Sequence, residues 1–106
     1  MISISADYES RHLVHLVVSG HGGLEYGKDV VCAGVSCCVI GALNALTSCE
    51  NYSIEIGSGF MELKRRNPST DHDEVVLETL IVQLGTISQK FPDRVRIKVS
   101  RKEGKK

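Results

Sequence analysis

Residues 30–49 carry neither a charge nor a proline, in a chain that is 25% charged overall. The stretch is too long for a single strand, and Ser, Asn and Thr interrupt it too often for a membrane span of ~18 apolar residues. It reads as one helix, with Asp29 as its N-cap. Val31, Val35, Cys38, Ala42, Leu46 and Cys49 recur at i+3 and i+4, so they define the expected core stripe. The opposite face holds Gly34, Cys37, Gly41, Ala45 and Ser48, all small. Small side chains let another helix or backbone approach closely, so this helix is expected to be covered on two sides. Cys32 falls on neither stripe but at the edge of the core face, in the first turn.

The flanking segments read as strands and one more helix. Residues 2–8 and 12–19 are rich in Ile, Val and Leu, and Glu9-Ser10-Arg11 between them is a hairpin turn. Leu13–Val18 is apolar on both faces apart from His15, which predicts a central strand. Asn51–Ile56 and Gly59–Arg66 form a second hairpin joined by Gly57-Ser58. Thr70–Glu74 is a helix start, with capping side chains and acids placed well against the dipole. Val76, Leu80, Leu84, Ile87 and Phe91 give that helix its apolar face, and Pro92 stops it. Val95, Ile97 and Val99 alternate with Arg94, Arg96 and Lys98 as a half-exposed final strand. The order ββαββαβ predicts an α+β fold, a mostly antiparallel sheet with two main helices packed on it. One domain over 1–100 and a frayed polar tail over 101–106 complete the expected organisation.

Composition narrows the function classes. Lys+Arg and Asp+Glu both number 13, and there are only three Tyr, two Phe and no Trp. Bulk attraction to nucleic acid and a base-stacking platform are both disfavoured, although a local basic patch remains open. The N-terminus has no basic, then apolar, leader pattern, so a cytoplasmic protein is expected, with cysteines as thiols. Cys32, Cys37, Cys38 and Cys49 lack the C-x-x-C spacing of a zinc site, and neither metal nor cofactor is expected.

One stretch is loaded with chemistry. Gly20, Gly22, Gly23 and Gly27 punctuate the loop between the second strand and the helix, which also holds His21, Leu24 and Tyr26. Glycine gives such a loop freedom to move. If Asp29 is the N-cap, Cys32 lies where unpaired backbone N–H groups and the helix dipole favour a thiolate, while the Asp29 carboxylate opposes it. A neutral His nearby can take the thiol proton and return it to a leaving group, and His21 is the nearest in sequence. Spacing alone also fits a packing cysteine and a solvated loop histidine.

The string Gly20-His21, then Gly27-Lys28-Asp29-Val30-Val31-Cys32-Ala33-Gly34-Val35-Ser36, resembles the signature of the ribosomal-processing cysteine protease family called Prp. The resemblance extends to length and order of elements. It implies that His21 and Cys32 form a catalytic dyad, and that Asp29 and Ser36 occupy family positions. Asp29 either orients His21 or only caps the helix. Ser36 either bonds the thiol, the loop or an oxyanion, or bonds back to the carbonyl of Cys32. Gly20, Gly22, Gly23, Leu24, Tyr26 and Gly27 are the expected substrate loop, with an apolar cleft beside Leu24 and Tyr26. Gly22-Gly23 departs from the Ala that usually follows the motif His. The resemblance further implies a homodimer, and a substrate that is the N-terminal extension of a large-subunit ribosomal protein, cut after an aromatic pair.

Two other readings stand beside it. Lys64, Arg65 and Arg66 with Arg94, Arg96 and Lys98 would make one cationic surface if their strands were adjacent, suiting a non-catalytic ribosome-assembly or rRNA-contacting factor. The second is a thiol redox sensor that uses Cys32, but no resolving cysteine is convincingly placed near it.

Overall fold

The computed structural model describes residues 1–20 and 30–102. Strands β1 (Ile2–Glu9) and β2 (His12–Gly20) form the first hairpin, followed by α1 (Val30–Ala45). The second hairpin, β3 (Tyr52–Gly57) and β4 (Phe60–Arg65), leads to α2 (Asp71–Lys90) and β5 (Val95–Lys102). The five strands form one sheet in the order β3-β4-β2-β1-β5, antiparallel except where β5 runs parallel to β1. The fold is α+β with the expected order ββαββαβ, and β2 is central.

Alternation explains the layering. Ile2, Ile4, Ala6 and Tyr8 of β1 are buried, as are Leu16 and Val18 of β2 and Met61 and Leu63 of β4. These side chains share one face of the sheet because strand residues alternate in direction. The buried residues of both helices join them in a single core cluster. Each fully buried Leu there contributes roughly 1.5–3 kcal/mol. The other sheet face, with Ser5, Asp7, His15, Glu62 and Lys64 on it, carries no helix among the described residues.

Helix α1 buries Val31, Val35, Val39 and Ala42. The stripe is therefore centred on Val39; Cys38 is half-buried beside it, and Cys49 is exposed outside the helix. Gly34 of the small face meets α2, since a Cβ there would lie 3.7 Å from Ile87 Cδ1. Cys37, Gly41 and Ala45 of the same face are exposed, so the cover on that side is incomplete.

α1 also ends at Ala45, before the expected limit at Cys49, and Cys49–Asn51 forms a short 3-10 turn. The backbone N–H groups of Thr47 and Ser48 are taken at 2.9 Å by the carboxylate of Asp73. That tertiary bond removes the donors that further helix would use. At the start of α2, the Thr70 hydroxyl accepts from Asp73 N–H as a side-chain cap.

Two further corrections concern ends of elements. The β3–β4 turn is Ser58-Gly59, one residue later than Gly57-Ser58, and Gly59 takes the positive φ of 66° that the tight turn needs. Arg101 and Lys102, expected in a frayed tail, extend β5. The Arg101 guanidinium lies 4.3 Å over the Tyr8 ring, and Ser10 N–H donates to the Lys102 carbonyl. No helix among the described residues is long and apolar enough to cross a membrane.

Candidate active site

Cys32 is the third residue of α1 and is half-buried, packed against the core. Ser36 follows one turn later and is exposed. Both line a cleft of about 130 Å³, with Val35, Val39 and Ile40 on the same wall. The opposite wall is the β3–β4 turn region, Ile56 to Met61, and Ile2, Val18 and Gly20 close the base. The sequence therefore brings one thiol and one hydroxyl to the edge of an otherwise apolar groove. Among the described lining residues, Cys32 is the only ionisable side chain.

Gly20 belongs to this cleft as the last residue of β2, not as part of a loop. Its φ is +101°, and a Cβ at that position would lie 2.1 Å from the backbone oxygen of Met1. Only glycine fits there. Gly20 N–H donates to the Gly59 carbonyl at 2.9 Å, which fastens this end of β2 to the hairpin turn. His21 is covalently joined to Gly20, and Asp29 to the first residue of α1. His21, Gly22, Gly23, Leu24, Tyr26, Gly27 and Asp29 themselves lie outside the described residues, so Cys32, Ser36 and Gly20 are the predicted site residues brought together here.

The other histidines are engaged elsewhere. His12 Nδ1 meets Glu74, His15 Nε2 lies 2.6 Å from Glu62 Oε2, and His72 Nε2 lies 3.1 Å from the Ala45 carbonyl. None of the three lines the cleft. The four cysteines remain thiols. Burial pushes the Cys38 thiol up, with a further push from Cys37. Among the described residues no cluster of His, Cys, Asp and Glu is arranged to hold a metal ion.

Most of the apolar cleft was not legible beforehand. Val39 and Ile40 were only unremarkable members of the uncharged run. Ile56 and Phe60 belonged to a hairpin that showed no link to α1 in sequence. The available hint was the lack of any charge on α1, a helix whose exposed side then offers an apolar wall.

The sheet order also decides the fate of the basic cluster. Lys64 and Arg65 are on β4 and Arg96 and Lys98 on β5, with β2 and β1 between them. Neighbouring strands are ~4.8 Å apart, so the two sets are separated by about 14 Å across the sheet. Glu62 lies 3.9 Å from the Lys64 ammonium, and Arg65 donates to Ser69 Oγ. The adjacent-strand cationic surface expected for an RNA-contacting factor is not formed.

Comparison with known proteins now bears on this site. Residues 1–96 match the family model described as cysteine protease Prp. A ribosomal processing cysteine protease Prp of Bacillus subtilis is 30% identical over 89 residues, covering 76% of this chain and 80% of that protein. The protein of the same name from Staphylococcus aureus is 26% identical over 101 residues, covering 91% and 94%. The crystal structure of an essential ribosomal processing protease Prp from S. aureus, with a covalently linked product peptide, superposes with a TM-score of 0.83. It is 24% identical in sequence and covers 94% of this chain and all of that one, which shows a shared fold. The protein is thus a cysteine protease, a hydrolase of peptide bonds. Within that class, the chain belongs to the cysteine protease Prp family.

Proposed function

We propose that this protein is a cytoplasmic endopeptidase that removes the N-terminal extension of a large-subunit ribosomal protein, with Cys32 as nucleophile and His21 as general base. The observation that carries the reading is the position of Cys32, in the first turn of α1 and at the mouth of an apolar cleft whose base includes Gly20. The names of the relatives supply the substrate class.

In the first step His21 takes the Cys32 proton, and Sγ forms a bond to the scissile carbonyl carbon. Backbone N–H groups at the start of α1 are the oxyanion donors in this reading, because developing negative charge is favoured at a helix N-terminus. The C–N bond then breaks as the leaving amine takes the proton from His21. In the second step His21 takes a proton from water, the water oxygen displaces Sγ, and the thiol is restored. Ser36, one turn from Cys32, bonds the thiol, the loop or the oxyanion in this reading, or bonds back to the Cys32 carbonyl. Asp29 acts on His21 or caps α1. The expected substrate-loop residues, Leu24 and Tyr26 among them, contact the peptide in this reading.

The proposed assembly is a homodimer. α1 is uncharged throughout, yet Val30, Cys37, Ile40, Gly41 and Ala45 are exposed on it. A helix apolar on all sides is normally covered. Sedimentation velocity would report a single species of twice the 11.6 kDa chain mass; a monomer at micromolar concentration removes the dimer from this reading.

The activity is tested by incubating the protein with a peptide spanning an extended ribosomal-protein N-terminus, beside Cys32→Ala and His21→Ala. One cut, seen by mass spectrometry and lost in both variants, is the expected result. Cleavage that survives Cys32→Ala would sink the nucleophile assignment.

A further inference from the structure

β3 is an edge of the sheet, and among the described residues it pairs with β4 alone. The phase of that ladder follows from one bond: Arg66 N–H donates to the Asn51 carbonyl at 2.7 Å. Bonded and non-bonded pairs alternate in an antiparallel ladder. The bonded pairs are therefore Ser53/Lys64, Glu55/Glu62 and Gly57/Phe60, and the last suits the two-residue turn it flanks. It follows that the backbone N–H and C=O groups of Ile54 and Ile56 face away from β4, along the free edge.

The side chains of Ile54 and Ile56 share the face of Met61 and Leu63, the face that carries the helices. α1 does not cover this margin, and Ile56 remains 58% exposed. The cleft that holds Cys32 opens here, between Ile56 and the 42%-exposed Ile40 of α1. A row of outward backbone groups and an apolar trough thus run side by side and reach the nucleophile.

The two edges of the sheet are treated differently. Proteins guard exposed edges with cations, Pro or bulges, because such edges otherwise recruit strands. β5, the opposite edge, carries Arg96, Lys98, Arg101 and Lys102. β3 has the sequence Tyr-Ser-Ile-Glu-Ile-Gly, with no Lys, no Arg and no Pro, and its pairing with β4 has no bulge. The less guarded edge, with Glu55 as its one charge, is the one beside Cys32.

We propose that the substrate binds by adding a strand to β3. Its backbone pairs with Ile54 and Ile56, and alternate side chains enter the trough between Ile40 and Ile56, which presents the scissile carbonyl to Cys32. This deepens the protease reading above and rests on it. The occupant is an extended peptide with apolar residues at alternate positions, since the edge supplies main-chain bonds and the trough supplies apolar contact.

The experiment uses the same extension peptide in a series of backbone N-methylated copies, one amide at a time, with the unmodified protein. Strand pairing predicts a period of two: methylation of an amide facing β3 lowers kcat/KM about tenfold or more, and methylation of its neighbours changes it little. Ile56→Pro localises the effect. Proline there removes the outward N–H without taking a bond from β4, whereas Ile56→Ala keeps the N–H, so the Pro variant is expected to fall about tenfold below the Ala variant. A flat methylation profile, or equal losses in the two variants, overturns strand addition while leaving the protease reading intact. Conversion of a dimer to a monomer by Ile56→Pro would assign the edge to a second copy and also overturn it. Failure of the unmodified peptide to be cut overturns the protease reading, and strand addition with it.

Discussion

Asp73 and Thr47 are joined twice: the carboxylate Oδ1 of Asp73 accepts the Thr47 backbone N–H at 2.9 Å and the Thr47 hydroxyl at 3.1 Å. Its other oxygen accepts Ser48 N–H at 2.9 Å, and Asp73 N–H donates to the Thr70 hydroxyl. A single fully buried aspartate therefore ties the end of α1 to the start of α2. The frame that presents Cys32 depends on this junction, because it fixes where α1 ends relative to α2.

Burial pushes the Asp73 carboxyl up, but the bonds from Thr47 and Ser48, with His72 close by, outweigh it and hold the group below the usual aspartate range. A depressed folded-state pKa stabilises above the unfolded value, and the contribution is lost as pH falls through the folded value. Asp73→Ala is expected to cost about 3 kcal/mol, since it leaves two backbone donors without partners. Asp73→Asn should cost less and should flatten the acid limb of stability below about pH 4. Urea denaturation of the three proteins between pH 3 and 7 checks both outcomes, and an unchanged acid limb in Asp73→Asn would refute the junction's role in it.

Gly20 is predicted to be intolerant of any side chain. Its φ of +101° and the 2.1 Å approach of a Cβ to Met1 O are backbone constraints that no rotamer change relieves. Gly20→Ala should lose roughly 2 kcal/mol or more. It should also lower cleavage, because Gly20 lines the cleft and precedes His21. A denaturation midpoint equal to that of the parent would show that the strand end relaxes freely.

On the open sheet face, the hydrogen bond with His15 holds the Glu62 carboxyl below the usual glutamate range, against a smaller opposing effect of burial and with help from Lys64. The stabilisation from Glu62 is therefore present above the ordinary glutamate range and fades as pH falls through its lower folded value. Carbon-detected NMR titration should place the Glu62 midpoint below that of a model peptide. In His15→Ala the midpoint should rise toward the ordinary value, and no movement would assign the shift to other groups.

The cleft walls should separate binding from stability. Ile40 and Ile56 are 42% and 58% exposed, so Ile40→Ala and Ile56→Ala should change stability by only about 0.5–1 kcal/mol. Both should lower kcat/KM for an apolar peptide about tenfold, because each removes contact area that only a bound peptide buries. By contrast, Leu63→Ala, at 0% exposure, should cost about 2–5 kcal/mol. Parallel thermal melts and peptide kinetics distinguish the two classes, and unchanged kinetics in both cleft variants would place the substrate elsewhere.

The sequence by itself determined the type and order of the elements and placed the candidate nucleophile, Cys32, in the first turn of α1. Richness in Ile, Val and Leu marked β1 and β2, a turn signal marked the β3–β4 hairpin, alternation marked β5, capping residues marked the start of α2, and the position of Cys32 in the first turn of α1 followed from the uncharged run. Those features are local, set by periods of two and 3.6 residues and by capping chemistry. Tertiary structure alone decided where α1 stops, because the buried partner of Thr47 is 26 residues away. It decided that β5 pairs with β1 rather than lying beside β4, which keeps the two sets of basic residues apart. It also decided that Ile40 of α1 and Ile56 of β3 line one cleft with Cys32. Each of these is a contact between distant segments, and side-chain periodicity within one segment holds no information about which surface another segment will meet.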